Sequence, residues 1–496
     1  MSYISSSPIF LIGLLVSSLS HAEVIETNGD IALEDSRHLK SIHQLQSLKH
    51  VLQHQNDQTP YVQELKNTLG IRSLFVETQA LPIVDIQLTF NAGSARDQYL
   101  GKDLHGIANM AANLIDEGTN EYTAEQIANT FEQIGAQFSA RAYRDMFVIR
   151  LRVLSDPEKL NPAVNLMLNL IKNATFNSSG LNLIISNTQV GQKQLQENPD
   201  RLRNIELYRA IYGEHPYAQP ITGTTRSIRK ITPDLLKKFR DSLLVAQNMN
   251  LSITGQLTQA QASQLAEKIT QSLPQGQAAG KLPDADLQHS FNIQLIPYQS
   301  SQAYVSMGHL GVSRNNPDQL ALEVANQMLG GHGFNSILMQ ELRVKRGYTY
   351  GAYSSFSFTQ APGVFNLSYS TRQDQLLDSI QVAHKALVDF VKQPIDTKQL
   401  EETKAGMLRS FPMSFSSNAN INAQLGSIGF YSLPADYLTQ YAKQLNKITA
   451  QDVQQAVKKY IHPDRLTIVI TGEPIDKARL ELMLRHNLDS THSILP

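Results

Sequence analysis

Two histidines with the spacing of metal ligands, His50 and His54, stand near the start of the chain. They are four residues apart and could share one helix face, as the histidines of a zinc-binding pair do. No nearby carboxylate or further histidine is clearly spaced to complete a ligand set, so the stretch favours a solvated helix face over a metal site. The chain has no cysteine, which excludes disulfides, thiolate metal sites and cysteine nucleophiles.

Strand and helix patterns alternate through the first half of the chain. Apolar Val84, Ile86, Leu88 and Phe90 alternate with polar residues, which predicts a strand that is buried mainly on one face. The patterns that follow predict helices over 104–117 and 123–135, a strand over Phe147–Val153 and a helix over Pro162–Asn173. Mixed strands and helices in this order predict an α+β fold.

A repeat organises the chain into two halves. Lys230-Ile231-Thr232 recurs at residues 447–449, and Ile253-Thr254-Gly255 recurs at residues 470–472. Both pairs have the same offset, since 447 − 230 and 470 − 253 each give 217 residues. The shared offset and the shared order predict a tandem duplication of one lobe.

The repeat and the composition shifts together define the expected domains. The polar, Gly- and Pro-bearing stretch 274–287 is the natural linker between the lobes. The predicted segments are a signal peptide (1–22), an N-terminal helical extension (23–60), a first lobe (61–273), the linker (274–287), a second lobe (288–480) and a C-terminal tail (481–496).

The motif GIANMAANLIDEGT, residues 106–119, carries a resemblance to a known family. It resembles the block of the pitrilysin/insulinase (inverzincin) zinc peptidases in which a Gly-Leu-Ala lead-in is followed by H-x-x-E-H and then by Gly-Thr. The resemblance implies two homologous lobes, each an antiparallel β-sheet packed with helices, which together form a clam-like half chamber. It covers about residues 62 to 478.

The same alignment implies that this chain lacks the catalytic zinc site of the family. Asn109 and Asn113 stand where the family has its two zinc-binding histidines, and Ala112 stands where it has the glutamate that acts as general base. A neutral carboxamide is a poor zinc ligand, and a methyl group cannot accept a proton. The family's third ligand would fall at about 186–193, yet the sequence has no Asp or Glu between Glu158 and Glu197. We therefore expect no catalytic residue and no metal in this chain.

A second motif, residues 329–358, argues for a retained function. It is similar to the family's Gly-Gly segment, the helix that ends in Leu-Arg and the Gly-x-x-Tyr that opens a strand. The resemblance implies that Arg343 and Tyr350 hold substrate peptide, and both side chains are strong donors to a carbonyl oxygen. The alternative is that the pair only satisfies the local backbone.

The net charge and the N-terminal residues limit which partners and which compartment are expected. The formal net charge is −1, which gives no reason to expect nucleic acid or an anionic membrane as a partner. The first 22 residues contain an apolar run, Ile9 to Leu19, followed by Ser-His-Ala, which predicts a signal peptide and a periplasmic or secreted protein. The run is too short to span a bilayer, so no transmembrane segment is expected in the mature chain.

In bacterial members of the family that this chain resembles, half-sized chains often work in pairs, one with the zinc motif and the other with the Arg and Tyr. The resemblance therefore implies a non-catalytic subunit that binds unfolded peptide and complements a zinc-bearing homologous peptidase subunit. The expected assembly is a heterodimer with that partner, which supplies the zinc, or a dimer of this chain. Two alternatives remain open at this point: a stand-alone peptide-binding or scaffold protein, and an active zinc metalloendopeptidase with atypical ligands.

Overall fold

The computed structural model of the chain describes residues 59–331 and 333–489. The predicted signal peptide, the extension as far as residue 58, and with it His50 and His54, lie outside the described residues. Across the described ranges, no helix combines the length and the apolar character needed to cross a bilayer. The described residues belong to one compact unit, which contains both lobes.

The first lobe is built on a mixed six-stranded sheet. Its strands and helices are β1 (Gln63–Leu65), β2 (Ser73–Glu77), β3 (Ile83–Phe90), α1 (Ile107–Leu114), α2 (Ala124–Ile134), β4 (Gln137–Ala142), β5 (Phe147–Leu154), α3 (Pro157–Asn173), α4 (Ser178–Gln196), α5 (Pro199–Tyr212), α6 (Thr225–Ile228), α7 (Pro233–Leu243), β6 (Met249–Gly255) and α8 (Gln259–Ser272). The strand order is β1-β2-β6-β3-β5-β4. All neighbouring strands are antiparallel except β2 and β6, which are parallel.

The second lobe repeats this plan with five strands. Its elements are β7 (Asn292–Pro297), β8 (Gln302–Leu310), α9 (Gln319–Gly330), a π-helical segment (Met339–Val344), β9 (Ala352–Phe356), β10 (Val364–Arg372), α10 (Leu376–Lys392), α11 (Thr397–Ser410), α12 (Asn418–Phe430), α13 (Tyr437–Lys447), α14 (Ala450–Tyr460), β11 (Thr467–Gly472) and α15 (Lys477–Asp489). The strand order is β7-β11-β8-β10-β9, and β7 and β11 form the parallel pair.

The two sheets have the same topology, because the order β2-β6-β3-β5-β4 of the first lobe matches the five strands of the second. The residues that recur at the offset of 217 have the same structural role in both lobes. Thr232 caps α7 and Thr449 caps α14, each by accepting a backbone N–H bond at the helix start. Gly255 ends β6, where a Cβ atom would lie 2.2 Å from the Ile83 carbonyl oxygen. The predicted α+β fold of two homologous lobes is confirmed, with the refinement that each sheet contains one parallel pair.

Each lobe places one helix on the sheet of the other lobe. Helix α5 of the first lobe packs on β8 and β11, and helix α12 of the second lobe packs on β2, β3 and β6. The polar side chains of β3, which the sequence pattern assigned to an exposed face, are therefore buried: Asp85, Gln87 and Thr89 are at most 7% exposed. The expectation of a strand buried mainly on one face was wrong, because the covering helix comes from more than 300 residues further along the chain.

Three helices have other bounds than the sequence predicts. Helix α1 spans Ile107–Leu114 and is shorter than the predicted 104–117, because Gly106 precedes it in a left-handed turn. Helix α3 begins at Pro157, where the Asp156 side chain caps it, and Pro162 lies inside the helix instead of at its start. Pro157 stands at the first helical position, where its missing N–H would have no intrahelical partner, whereas Pro162, the sixth residue of the helix, removes one intrahelical hydrogen bond. Residues 481–489, which we expected in a C-terminal tail, continue α15, and Leu484 is buried in the second core.

Asp145, in the turn between β4 and β5, joins the lobes at a buried point. Its carboxylate accepts hydrogen bonds from the Tyr217 hydroxyl, from the Gln360 backbone N–H at 2.9 Å and from the Tyr431 hydroxyl at 3.4 Å. Gln360 and Tyr431 belong to the second lobe. Burial raises the pKa of Asp145, and these donors partly oppose that rise.

Candidate functional site

Helix α1 carries the three positions of the degenerate metal motif, and its start is fixed by a buried carboxylate. The Asp97 carboxylate accepts backbone N–H bonds from Gly106 at 2.6 Å and from Ala108 at 2.9 Å. Gly106 adopts φ 99°, and a Cβ atom there would lie 2.9 Å from the Thr222 carbonyl oxygen. Only glycine fits this turn without strain, so the motif's first residue is set by backbone geometry.

Asn109, Ala112 and Asn113 lie on neighbouring positions of one helix surface, with spacings of three and four residues. Asn109 is half-buried, Ala112 is buried and Asn113 is exposed. The Asn113 side-chain amide donates a hydrogen bond of 2.7 Å to the Asn109 carbonyl oxygen. This surface therefore presents two carboxamides and a methyl group, none of which is an imidazole or a carboxylate.

Helix α4 contains the segment in which the third metal ligand was sought, and it contacts α1. Lys193 is its one charged residue. The Gln192 amide donates to the Gly223 carbonyl oxygen at 3.0 Å and accepts from the Thr225 hydroxyl at 2.7 Å, which joins α4 to the loop beside the start of α1. Over residues 59–331 and 333–489, no three histidine or acidic side chains are grouped closely enough to hold a metal ion.

Strand β4 forms the outer edge of the first sheet beside α1. Its one strand partner in the sheet is β5, and its other long edge has no strand next to it within the described residues. Along β4, exposed side chains alternate with half-buried ones, and the half-buried Phe138 stacks on Phe131 at 5.4 Å between ring centroids. Strand β4 was not predicted from the sequence, although Phe138, Ala140 and Ala142 show the period of two that could have identified it. An edge strand next to the motif helix is a surface on which an extended peptide can pair.

His215, in the loop after α5, is held by the backbone on both sides of its ring. Its Nε2 lies 3.0 Å from the Pro283 carbonyl oxygen, and its Nδ1 accepts the Tyr217 backbone N–H at 3.1 Å. Burial lowers the pKa of His215. The ring has a structural role in joining this loop to the linker.

Arg343 and Tyr350 lie together at the end of the π-helical segment in the second lobe. The Arg343 Nη1 donates to the Tyr350 carbonyl oxygen at 2.7 Å, and the guanidinium lies over the Phe334 ring at 4.6 Å. The turn between them is made by Gly347, which adopts φ 64°. Tyr350 is 84% exposed. The local backbone contact that the sequence analysis named as the alternative therefore exists, and it leaves the Tyr350 phenol facing solvent.

The structure brings Asn109 and Asn113 together in the first lobe, and Arg343 and Tyr350 together in the second. Among the described residues, no hydrogen bond, ion pair or ring contact joins one pair to the other. The inter-lobe residues around Asp145 had no signal in the sequence analysis, because they come from four separate stretches of the chain.

Family comparisons match both lobes. Residues 74–225 match the family described as Insulinase (Peptidase family M16), and residues 230–407 match the one described as Peptidase M16 inactive domain. A solved structure described as a peptidase M16 inactive domain from Pseudomonas fluorescens has 34% sequence identity and a TM-score of 0.79, covering 84% of this chain and 98% of that one.

Two curated relatives are similar over most of their length. An uncharacterized zinc protease of Rickettsia bellii is 27% identical, covering 82% of this chain and 97% of its own sequence. The non-peptidase homolog YmxG of Helicobacter pylori is 23% identical, covering 82% of this chain and 93% of its own sequence. The names of these relatives include both a peptidase and a non-peptidase. The choice between these two functions for this chain therefore rests on the residues of its site.

Proposed function

The chain belongs to the M16 (insulinase) peptidase family, and from that premise we propose that it is a non-catalytic subunit that binds extended peptide and complements a zinc-bearing homologue. The observation that carries this proposal is the chemistry of the motif helix. Asn109 and Asn113 offer carboxamides where zinc requires imidazole, and Ala112 offers a methyl group where water activation requires a base. Both the metal and the proton acceptor would have to come from another chain.

Peptide binding is supported by the edge strand β4. An extended peptide that pairs with an edge strand gains main-chain hydrogen bonds whatever its sequence. Helix α1 contacts β4, so a peptide bound there would run past the motif positions. The exposed side chains of the strand, Gln137, Ser139 and Arg141, are polar, which suits a surface that is open to water before the peptide arrives.

The contribution of the second lobe would come from Arg343 and Tyr350. Among the described residues, Arg343 uses one of its five N–H donors on the Tyr350 carbonyl oxygen, and its packing on Phe334 restricts its position. A restricted guanidinium and an exposed phenol can donate to a peptide carbonyl with little loss of conformational entropy. The local contact thus prepares the pair for a ligand.

The assembly and the compartment follow the sequence analysis. The proposed partner is a homologous chain that carries H-x-x-E-H, and a second copy of this chain is the alternative partner. The signal-peptide pattern supports export to the periplasm or beyond, where the substrates would be unfolded peptides.

The partner role is tested by adding the purified chain to the zinc-bearing homologue of its host and measuring kcat/KM on a quenched fluorescent peptide. Arg343→Ala should remove most of this increase in kcat/KM and leave it about tenfold smaller or less, because a charge-assisted hydrogen bond to the peptide is lost. Arg346→Ala is the matched control, because Arg346 lies on the same turn but pairs with Glu341 at 2.7 Å. Equal stimulation by wild type and Arg343→Ala would refute the role of the pair, and no stimulation by wild type would refute the partnership.

Peptide pairing with β4 is tested without changing the chain. N-methylation of alternate amides of a bound peptide removes the N–H groups that would face β4, while methylation of the other set leaves them in place. One methylated peptide should lose affinity and the other should retain it. Equal loss from both, or from neither, would contradict strand addition.

A further inference from the structure

A cavity of about 600 Å³ lies where the two lobes and the linker meet. It is lined by the end of β3, by linker residues 279–284, by the loop after β8, by the β9–β10 loop and by the end of α12. The candidate peptide surface is formed by other elements, so this cavity is separate from it. Its volume is within the range of cavities that hold small ligands.

Arg96 is the buried cation of this cavity. Its side chain is among the largest that are fully buried, with 1% exposure of the residue. The guanidinium donates to the Asn91 side-chain oxygen from Nε at 3.3 Å and from Nη2 at 3.1 Å, to the Tyr99 hydroxyl from Nη1 at 3.1 Å and to the Gln360 side-chain oxygen from Nη2 at 3.4 Å. Among the described residues, one Nη1 N–H is left for a ligand. All three acceptors are neutral, and within the part of the chain that the structure describes Arg96 forms no ion pair. Burial lowers the pKa of Arg96, as expected for a charge that lacks a direct counterion.

A second guanidinium, that of Arg314, lines the same cavity and has one N–H donor without an acceptor among the described residues. Its Nε is buried and has no hydrogen-bond partner among the described residues. Its Nη2 donates to the Tyr437 hydroxyl at 3.3 Å, and its Nη1 lies 3.7 Å from the Glu323 carboxylate, which is long for an ion pair. An unsatisfied buried donor of a charged group is costly unless a ligand or water satisfies it.

The acidic groups around the cavity do not neutralise both arginines at close range. Asp284 lies on the exposed linker together with Lys281, so these two charges offset each other at the rim. Asp145 lies behind the cavity, and its oxygens accept from the Tyr217 hydroxyl, the Gln360 backbone N–H and the Tyr431 hydroxyl. The inner wall therefore presents guanidinium donors without a carboxylate in direct contact with Arg96.

We propose that this cavity is a binding site for a ligand that carries an oxyanion, either a carboxylate or a phosphate group, held between Arg96 and Arg314. A guanidinium matches the geometry of either group and forms charge-assisted hydrogen bonds with it. Because the cavity walls come from both lobes and from the linker, an occupied site links all three. This site does not depend on the proposed peptide-binding role.

The test is isothermal titration calorimetry of the full mature chain with sodium phosphate and with sodium acetate, at an ionic strength held constant with sodium chloride. We expect saturable binding of one anion per chain. Tighter binding of phosphate would indicate a phosphorylated ligand, and tighter binding of acetate would indicate a carboxylate ligand. Arg314→Gln should weaken binding by about tenfold or more, since it removes the charge and shortens the side chain while keeping a polar end. Arg372→Gln is the matched control, because Arg372 is exposed, lies outside the cavity and pairs with Asp374.

Two results would overturn the proposal. One is the absence of saturable binding of either probe to the wild-type chain. The other is equal affinity in wild type and Arg314→Gln. Arg96→Gln should also abolish binding, and if that variant fails to fold, Arg314→Gln decides the question alone.

Discussion

Helix α12 of the second lobe packs closely on the sheet of the first lobe, and Gly426 is the residue that permits this contact. A Cβ atom at this position would lie 1.9 Å from the Gln87 side-chain nitrogen and 3.3 Å from the Thr89 hydroxyl oxygen. Gln87 is 3% exposed and cannot move away freely, because it donates to Thr89 at 2.9 Å and accepts from Arg150 at 2.8 Å. Gly426→Ala must therefore shift the helix or break these hydrogen bonds.

The magnitude follows from opposing effects. Replacing glycine by alanine inside a helix stabilises it by about 1 kcal/mol. Overpacking a close contact costs about 1–3 kcal/mol, and each of the two displaced hydrogen bonds adds about 1 kcal/mol. The variant should therefore lose about 2–4 kcal/mol of unfolding free energy. It should unfold several degrees below wild type, at about 2–4 °C per kcal/mol.

Gly406→Ala provides the matched control, measured in the same differential scanning calorimetry experiment. Gly406 lies inside α11, and the nearest atom to its added Cβ is at 4.0 Å. This substitution should raise the unfolding temperature, because it brings the helix gain without a clash. Equal stabilisation by both substitutions would refute the packing of α12 on the first sheet.

Three further predictions concern the buried groups. Burial raises the pKa of Asp97 to about 7 from an ordinary value of 3.8, so the folded chain favours the protonated carboxyl below about pH 7. The protonated carboxyl therefore stabilises the folded chain below about pH 4, and this contribution of at most about 4 kcal/mol is lost as pH rises through about 7. Asp97→Asn should remove this loss from the pH dependence of the unfolding free energy, measured by urea unfolding. Asp145→Ala leaves the Tyr217 and Gln360 donors without their acceptor, and should cost about 2–5 kcal/mol of unfolding free energy. Asp374→Ala, which removes only an exposed ion pair with Arg372, should leave the unfolding free energy nearly unchanged. Gly106→Ala should cost about 1–3 kcal/mol by calorimetry, from its left-handed φ and the contact with Thr222, while an unchanged unfolding temperature would contradict the geometry of this turn.

The two-lobe architecture could be predicted from the sequence because the repeat is local and exact in spacing. The threonine that caps α7 and α14, and the glycine that ends β6 and β11, recur since each is required by its own turn or close contact. The helices and strands of the first lobe between residues 84 and 173, except β4, were predicted for the same reason, since periodicity is a property of neighbouring residues.

The exchange of helices between the lobes could not be predicted in this way. Asp85, Gln87 and Thr89 are polar and alternate with apolar residues, which is the pattern of a solvent-facing surface. They are covered because glycines in α12 allow a helix from the distant second lobe to approach. Hydrophobic periodicity does not record contacts between such distant segments, and the cavity around Arg96 was missed for the same reason.

The sequence identified the positions of the candidate site, and the structure added their surroundings. Asn109 and Asn113 share a helix surface, as their spacing requires, and Arg343 contacts Tyr350 across the Gly347 turn. The position of β4 beside α1 depends on how the sheet and the helix pack together. The roles assigned to these residues remain predictions that the kinetic and binding experiments address.

The central claim is that the residues at the motif positions cannot hold a hydrolytic metal. The most direct measurement is the zinc content of the isolated chain, purified without added metal and determined by inductively coupled plasma mass spectrometry, together with its peptidase activity with and without chelator. We predict zinc well below one atom per chain and no chelator-sensitive cleavage. One tightly bound zinc per chain, with cleavage that a chelator abolishes, would contradict it.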